Sequence, residues 1–413
     1  MPEKNLFVYK QKINAPVDLI YRAFTSASAL REWLCDVSTA NPVVGGRIYL
    51  AWTRGYYASG HFTELIPNQS VAFSWIGKSE PGWTKVAVSI GANEDGSDVH
   101  TVKLQHTGLG NSADWESARK EIAEGWEMGL DNLKSTLEEG RDLRVMNRPL
   151  IGIYPEDLTN LNEAAKQKLM LPVDYGVLVR DIVPDFGAEK AGIQVNDVIV
   201  AIEGQKVERI RSLGVIINEY SPGDQIEVSA YRGTEKLTFN IDTAAQSAQA
   251  LPDSPEELAK ELEASSSEVL ETLEGVLKNV TDAEASFSPG PEEWSVKETL
   301  VHLIHNEREI HIWINDLVSG QERFYDEWPG DRLFRIRATL ASYPTMDDLV
   351  AELRRSLKET VASIAFLDQN FTRRKASYWR LGMELLGGSK HFREHIQQIE
   401  DNVQAARMAV GRG

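Results

Sequence analysis

WSVKETLVHLIHNERE, residues 294–309, reads as the opening of a helix. Ser295 with Glu298 three positions later forms a capping box, in which each side chain takes a backbone N–H that the first helical turn leaves without a partner. Working outward, the residues ahead of this stretch place Leu258, Leu262, Val269, Leu273 and Leu277 at heptad-like spacing, and the pattern stays helical to the end of the sequence. Four helices fit, at about residues 255–279, 295–319, 345–367 and 385–410. Helices of this length with short connections predict an up-down four-helix bundle.

The same stretch carries chemistry. His391 and His395 lie four residues apart on a predicted helix, so both rings leave one face about one turn apart. That is the spacing of metal ligands, and neutral imidazole suits zinc, nickel and iron. A third ligand has to come from another helix. His302 is the natural candidate, with His305 and His311 as competitors. Lys390 and Arg393 flank the pair with positive charge, whereas Glu307 or Glu394 could accept from a ligand ring.

Ahead of the bundle, residues 243–254 are rich in Ala, Gln, Ser and Pro without apolar period, and read as a linker. Before them come short strands around 176–183, 197–203 and 225–231, punctuated by Gly192, Gly204 and the turn Pro222-Gly223-Asp224. Apolar residues around a glycine in Leu150-Ile151-Gly152-Ile153 can present successive backbone N–H groups to a terminal carboxylate. The first part of the chain opens with a strand at 6–14 and a helix after Pro16. Strand-like runs follow at 47–52, 57–65, 70–75, 84–90 and 99–107, with turn residues such as Pro67-Asn68 and Glu94-Asp95-Gly96, and then a long helix over 112–139. A helix laid across a curved antiparallel sheet encloses a space that Trp33, Trp52, Phe73, Trp75 and Trp126, with Tyr56 and Tyr57, can line for an apolar ligand or simply fill. His61 and His106 read as structural or exposed.

At 413 residues the chain exceeds one hydrophobic core, and about 150 residues per domain suggests two or three domains. An apolar fraction of 42% with 26% charged residues is that of folded protein rather than disorder. A net charge of −18 repels phosphate backbones, and the run Arg373-Arg374-Lys375 is too short to offset it, so nucleic-acid binding is not expected. No run approaches the roughly 18 apolar residues of a membrane span. The single cysteine, Cys35, excludes an intramolecular disulfide and fits a reducing compartment. With the strand-like start of the chain, these features predict a cytoplasmic protein.

Three resemblances sharpen this reading. INAPVDLIYRAFTSASALREWL, VGGRIYL, SGHFTELIPNQSVAFSW, LQHTGLG and GWEMGLDNLKSTLE resemble, in order, the heat-shock ATPase activator-like family of the START-like (SRPBCC) superfamily over residues 1–141. That resemblance implies a helix-grip fold with a hydrophobic cavity or partner surface, and its name implies a stress-related role. GVLVRDIVPDFGAEKAGIQVNDVIVAIEGQKV resembles the PDZ domains of HtrA-like proteases, over 148–242, although no protease segment precedes it. This implies that Leu150, Ile151, Gly152 and Ile153 form the carboxylate loop for a C-terminal peptide, beside a strand edge open to β-augmentation. Phe186-Gly187 and Asn196 depart from the family pattern there, and asparagine still tolerates a left-handed turn. WSVKETLVHLIHNERE and HFREHIQQI resemble the opening and closing motifs of the DinB-like family over 255–410. By that resemblance His302, His391 and His395 are the metal ligands, followed by Gln398.

The expected architecture is a multidomain α+β chain: a helix-grip domain, a β-barrel-like PDZ domain, the linker and the four-helix bundle. The expected function is a multi-module binding protein holding an apolar ligand or partner, a C-terminal peptide and a divalent metal (zinc or nickel, with iron as a third choice). The alternative, implied by some DinB-like relatives, is a metal-dependent thiol S-transferase or hydrolase.

Overall fold

The structure is a computed structural model and describes residues 6–53, 55–92, 99–161, 163–245, 251–290, 293–322 and 332–409. The chain divides into two compact units, one made of Met1–Arg141 together with Gln249–Gly413 and the other of Asp142–Ala248.

The first unit begins with β1 (Leu6–Asn14), α1 (Val17–Thr25), α2 (Ala27–Trp33), β2 (Val37–Ala40), β3 (Arg47–Ala51), β4 (Tyr57–Ile66), β5 (Ser70–Gly77), β6 (Thr84–Ala92), β7 (Val99–Thr107) and α3 (Glu116–Glu139). Its seven strands form one antiparallel sheet in the order β1-β7-β6-β5-β4-β3-β2. Period-two alternation buries Val71, Phe73 and Trp75 of β5 and Val102, Leu104 and His106 of β7. Against them α3 sets Ile122, Trp126, Leu130 and Leu133, spaced to share one helical face. The helix stops at Gly140, whose φ of +76° is the left-handed cap that glycine adopts without steric cost. The turn expected at Glu94-Asp95-Gly96 lies outside the described residues.

The second unit contains α4 (Leu143–Met146), β8 (Pro149–Leu150), β9 (Ile153–Asp157), α5 (Glu163–Leu169), β10 (Val177–Ile182), α6 (Gly187–Ala191), β11 (Val198–Ile202), β12 (Gln205–Lys206), α7 (Ile210–Ile217), β13 (Gln225–Arg232), β14 (Glu235–Asp242) and β15 (Ala244–Ala245). The main sheet runs β14-β13-β11-β10-β9, with β12 on β11. The strip expected to begin a linker at Thr243 instead starts inside this unit, where Ala244 pairs with Leu150 and the Thr243 hydroxyl bonds the carbonyls of Ser221 and Asp224. Residues 246–250 of that expected linker lie outside the described residues. Asn196 takes the left-handed conformation (φ +74°) that its type tolerates. Next to it Asp197, fully buried, is held by two bonds of 2.7–2.8 Å from Arg232.

The first unit resumes with α8 (Pro255–Leu277), α9 (Asp282–Ala285), α10 (Val296–Ser319), α11 (Arg332–Ser342), α12 (Met346–Ala365), α13 (Gln369–Thr372) and α14 (Lys375–Ala409). The four long helices α8, α10, α12 and α14 make the bundle, closed by Leu273, Leu300, Leu303, Leu353 and Ile399 among others. The last helix starts at Lys375 rather than near 385, because Ser377, Leu381 and Leu385 already bury at helical spacing. Sequence reading missed α11, whose Leu333 and Phe334 are exposed while Ile336 and Thr339 are buried, so its apolar residues do not mark the packed face.

Sheet part and bundle pack together within this unit through a cluster of buried ions. Glu32 on α2 accepts from Ser377 on α14 and lies 3.6 Å from Arg22 and 3.9 Å from Arg380. Glu322, just past α10, accepts from Arg380 at 2.8 Å, Arg31 at 3.1 Å and the Trp313 indole at 3.2 Å. Each carboxylate is only 6% exposed, and burial at that depth is tolerated because every charge has an opposite one in reach.

Candidate functional site

The site in the bundle is built from the first turn of α10. Ser295 and Glu298 cap each other as the sequence predicts, with the Ser295 N–H donating to the Glu298 carboxylate at 2.8 Å. The preceding Trp294 accepts a 2.8 Å bond from Asn402 on α14 through its carbonyl, which ties the start of α10 to the helix carrying the histidine pair. The Trp294 ring stands 5.0 Å from the His302 ring and walls one side of it.

His302, His391 and His395 come together, each offering one ring nitrogen so that the three lie within 4.8 Å of one another. Nε2 of His391 is 3.4 Å from Nε2 of His302 and 3.1 Å from Nε2 of His395. Three nitrogens bonded at 2.0–2.1 Å to one tetrahedral ion would stand about 3.3 Å apart, so the chain's own spacing fits such an ion. Gln398 Oε1 lies 2.9 Å from His395 Nδ1; a proton on Nδ1 completes that bond and leaves the Nε2 lone pair directed at the other two rings. Burial drives all three rings toward the neutral form, His302 down to about 3 with help from its two neighbours, and His391 and His395 downward as well. Neutral imidazole is the form that binds a cation.

The competing histidines are engaged elsewhere. His305 Nε2 is 2.8 Å from the Thr339 hydroxyl on α11, and His311 Nε2 is 2.8 Å from that of Thr360 on α12. The flanking Arg393 pairs with Glu268 at 3.2 Å. Of the two acids expected to support a ligand ring, Glu307 instead takes the Thr360 hydroxyl, and Glu394 is exposed. Sequence reading did not single out Thr339 and Thr360, since nothing local pairs them with a histidine on another helix.

In the second unit the four predicted loop residues span the end of β8 and the start of β9. The carbonyl of Ile151 accepts from Ala188 at 2.8 Å and that of Gly152 from Val183 at 3.0 Å. Across a trans peptide the next N–H points the opposite way, so the N–H groups of Gly152 and Ile153 face away from these partners. Gly152 sits at φ +84°, and a Cβ there would come within 2.0 Å of Phe186, so only glycine fits. Among the described residues β9 pairs with β10 alone and so stands at a sheet edge.

Of the predicted cavity residues, Trp75 and Trp126 pack 5.6 Å apart around His106, Phe73 stacks 6.3 Å from Trp75, and Trp52 lies 5.3 Å from Tyr56. Trp33 sits apart from these, edge-on to Phe24 at 5.2 Å. The polar partners were not read from the sequence. Trp126 Nε1 donates to His106 Nδ1 at 3.0 Å, His106 Nε2 meets the Thr84 hydroxyl at 2.7 Å, and Glu80 accepts from Tyr56 at 2.6 Å and from Trp75.

By class, then, the chain joins an antiparallel sheet gripped by a long helix, a small β-rich segment with an open sheet edge, and a four-helix bundle carrying a histidine triad. Three family models match it in the same order: "Activator of Hsp90 ATPase homolog 1-like protein" over residues 14–138, "PDZ domain" over 149–243 and "DinB superfamily" over 266–399. The chain thus carries modules of these three kinds in the order its sequence led us to expect.

Among curated proteins it is similar to the serine endoprotease DegS of Salmonella typhimurium, 33% identical over 101 residues that make up 24% of this chain and 28% of that protein. It is also similar to the serine protease Do-like HtrA of Bacillus subtilis, 25% identical over 122 residues, 28% of this chain and 27% of that one. The chain spans about a quarter of the length of the curated relatives it matches. Among solved structures, an HSP90 activator from Plasmodium falciparum is 21% identical, covering 32% of this chain and 96% of that one with a TM-score of 0.29. The Aha1 dimer from Colwellia psychrerythraea is 24% identical, covering 33% and 98%, again with a TM-score of 0.29. Among the described residues no helix is long and apolar enough to cross a membrane.

Proposed function

We propose that this chain is a multi-module binding protein whose bundle holds a divalent metal at His302, His391 and His395. The observation that carries this reading is the convergence of three Nε2 atoms from two helices at 3.1 and 3.4 Å, a spacing that suits one tetrahedral ion. Three ligands leave a fourth position for a small molecule, where a bound cation supplies Lewis acidity. Imidazole donors favour zinc, nickel or iron over calcium or magnesium. In the same reading the PDZ module docks the C-terminus of another protein at 150–153, and the helix-grip module offers an apolar ligand or a partner its aromatic interior. A stress-related role rests on the likeness of the first module to Hsp90 ATPase activators alone. The cytoplasmic setting rests on the lone Cys35, which is buried.

Elemental analysis of the tag-free protein tests the metal. About one zinc, nickel or iron per chain is expected in the wild type, with loss in His302→Ala, His391→Ala and His395→Ala. Full metal content in the double variant of His391 and His395 would sink the assignment.

The fourth position also favours a second reading, in which the bundle is a metal-dependent thiol S-transferase or hydrolase and the other modules recruit its substrate. Metal-dependent consumption of an electrophile together with a low-molecular-weight thiol, lost in His302→Ala, would favour the enzyme. Stoichiometric metal without turnover would favour the binding protein.

A further inference from the structure

Midway along the bundle, small residues face one another across two helices, Ser265 and Ser266 on α8 and Gly388 and Ser389 on α14. Large side chains at such positions would interdigitate; these leave a cleft. A Cβ added to Gly388 meets nothing within 4 Å, so the space beside it is open. Leu262, Ile310 and Phe392 give the cleft apolar walls, and among the described residues that line it Glu307 and Glu384 are the charged ones, with no lysine, arginine or histidine.

Glu307 is the unusual member. It is 3% exposed, its Oε2 accepts the Thr360 hydroxyl at 2.6 Å, and Oε1 has no hydrogen-bond partner among the described residues. Behind Thr360, His311 Nε2 stands 2.8 Å from that hydroxyl and 3.1 Å from the Ser356 carbonyl; with its proton on Nε2 it donates here and leaves the threonine proton for Glu307. Burial pushes the Glu307 carboxyl up, with the Thr360 bond and His311 opposing it only in part, and no lysine, arginine or histidine among the described lining residues holds it ionised; a cation brought into the cleft would do so. Asn306 lies one turn beyond His302 and Gly388 one turn before His391, so the cleft opens about 5 Å along the bundle from the histidine triad.

We propose that this cleft binds a small ammonium compound, an amine with a short apolar body, whose nitrogen donates to Glu307 Oε1 while its carbons lie against Leu262, Ile310 and Phe392. The exposed Glu384 draws the cation in. The site goes beyond the metal reading and stands whether or not a metal is held.

Calorimetric titration of the full chain with butylammonium, using butyrate and 1-butanol as matched controls, tests it. Butylammonium is expected to saturate one site per chain about tenfold more tightly than either control, the worth of one hydrogen bond to a charged group. Glu307→Gln should bring it down to the level of butanol. Gly388→Leu, which fills the cleft and improves helix propensity, should abolish binding without lowering thermal stability. His302→Ala should leave amine binding intact, which separates this site from the metal. Absence of saturable binding, equal affinity for butylammonium and butanol, or binding untouched by both Glu307→Gln and Gly388→Leu would overturn the proposal.

Discussion

His106 organises the interior of the helix-grip module. It is fully buried, accepts from the Trp126 indole on α3 and bonds Thr84 on β6, so one imidazole links helix to sheet. Replacing it by alanine removes packing, leaves the Trp126 indole N–H without its acceptor and takes one bond from the Thr84 hydroxyl, which keeps its bond to the Trp75 carbonyl. His106→Ala should cost about 3 kcal/mol of stability in urea unfolding at pH 7, and a loss below about 1 kcal/mol would show that the link carries little. Burial holds the His106 ring down to about 4 against an ordinary 6.5. A base depressed in the folded state favours folding above 6.5 and loses that contribution as pH falls toward 4. At this scale the sequence was only partly legible. His391 and His395 announced themselves by spacing, yet spacing alone left His302, His305 and His311 open as the third member. What separates them is that Thr339 and Thr360 reach the other two, contacts between helices that no local pattern encodes.

Among the elements, β9 departs from what an edge strand usually offers. Gly152 directs its carbonyl to Val183, so the N–H of Ile153 faces the open edge, and alternation returns the same side at residue 155. Residue 155 is a proline and has no N–H to give. Proline is tolerated there because β9 is an edge, as sheets require. A peptide added to this edge would therefore lose one ladder bond just beyond its anchored end. For a C-terminal peptide that binds the wild-type PDZ module, Pro155→Val should tighten binding several-fold, about 1 kcal/mol for a restored bond. Fluorescence anisotropy would read this, and unchanged or weaker binding would place the peptide away from β9. Element boundaries were read well where alternation was regular, as in β1 and β7, and poorly in α14. Its Gly382 lies in the ten residues left out ahead of the expected start, while packing carries the helix through it.

At the scale of the molecule, the sheet part and the bundle share one packed body through Glu32 and Glu322. Burial alone would raise the Glu322 carboxyl, but Arg380 and Arg31 outweigh it and hold it down to about 2. A carboxylate depressed from 4.5 contributes its stability above that pH and loses it as pH falls through 2, a contribution on the order of 3 kcal/mol. Glu322→Gln should thus cost roughly 3 kcal/mol at pH 7 and little at pH 2 in denaturant unfolding; an equal penalty at both would mean the ion cluster does not couple the two parts. Sequence reading found three modules in order, with a PDZ domain and then a linker between the outer two, but it did not join those outer two to each other. The buried ions that join the outer parts are ordinary surface-type residues in sequence, and only their apposition makes them an interface.

The separation of 345 residues between Glu32 and its partner Ser377 also has a meaning in time. At about 5–20 residues per second, a ribosome reaches the serine roughly 20–70 s after it has made the glutamate. During that interval the nascent sheet part can form its own core while Arg31 and Glu32 remain in water, awaiting a helix that has not yet been synthesised. Charged residues suit such a waiting surface, because an apolar one would invite aggregation before its true partner emerged.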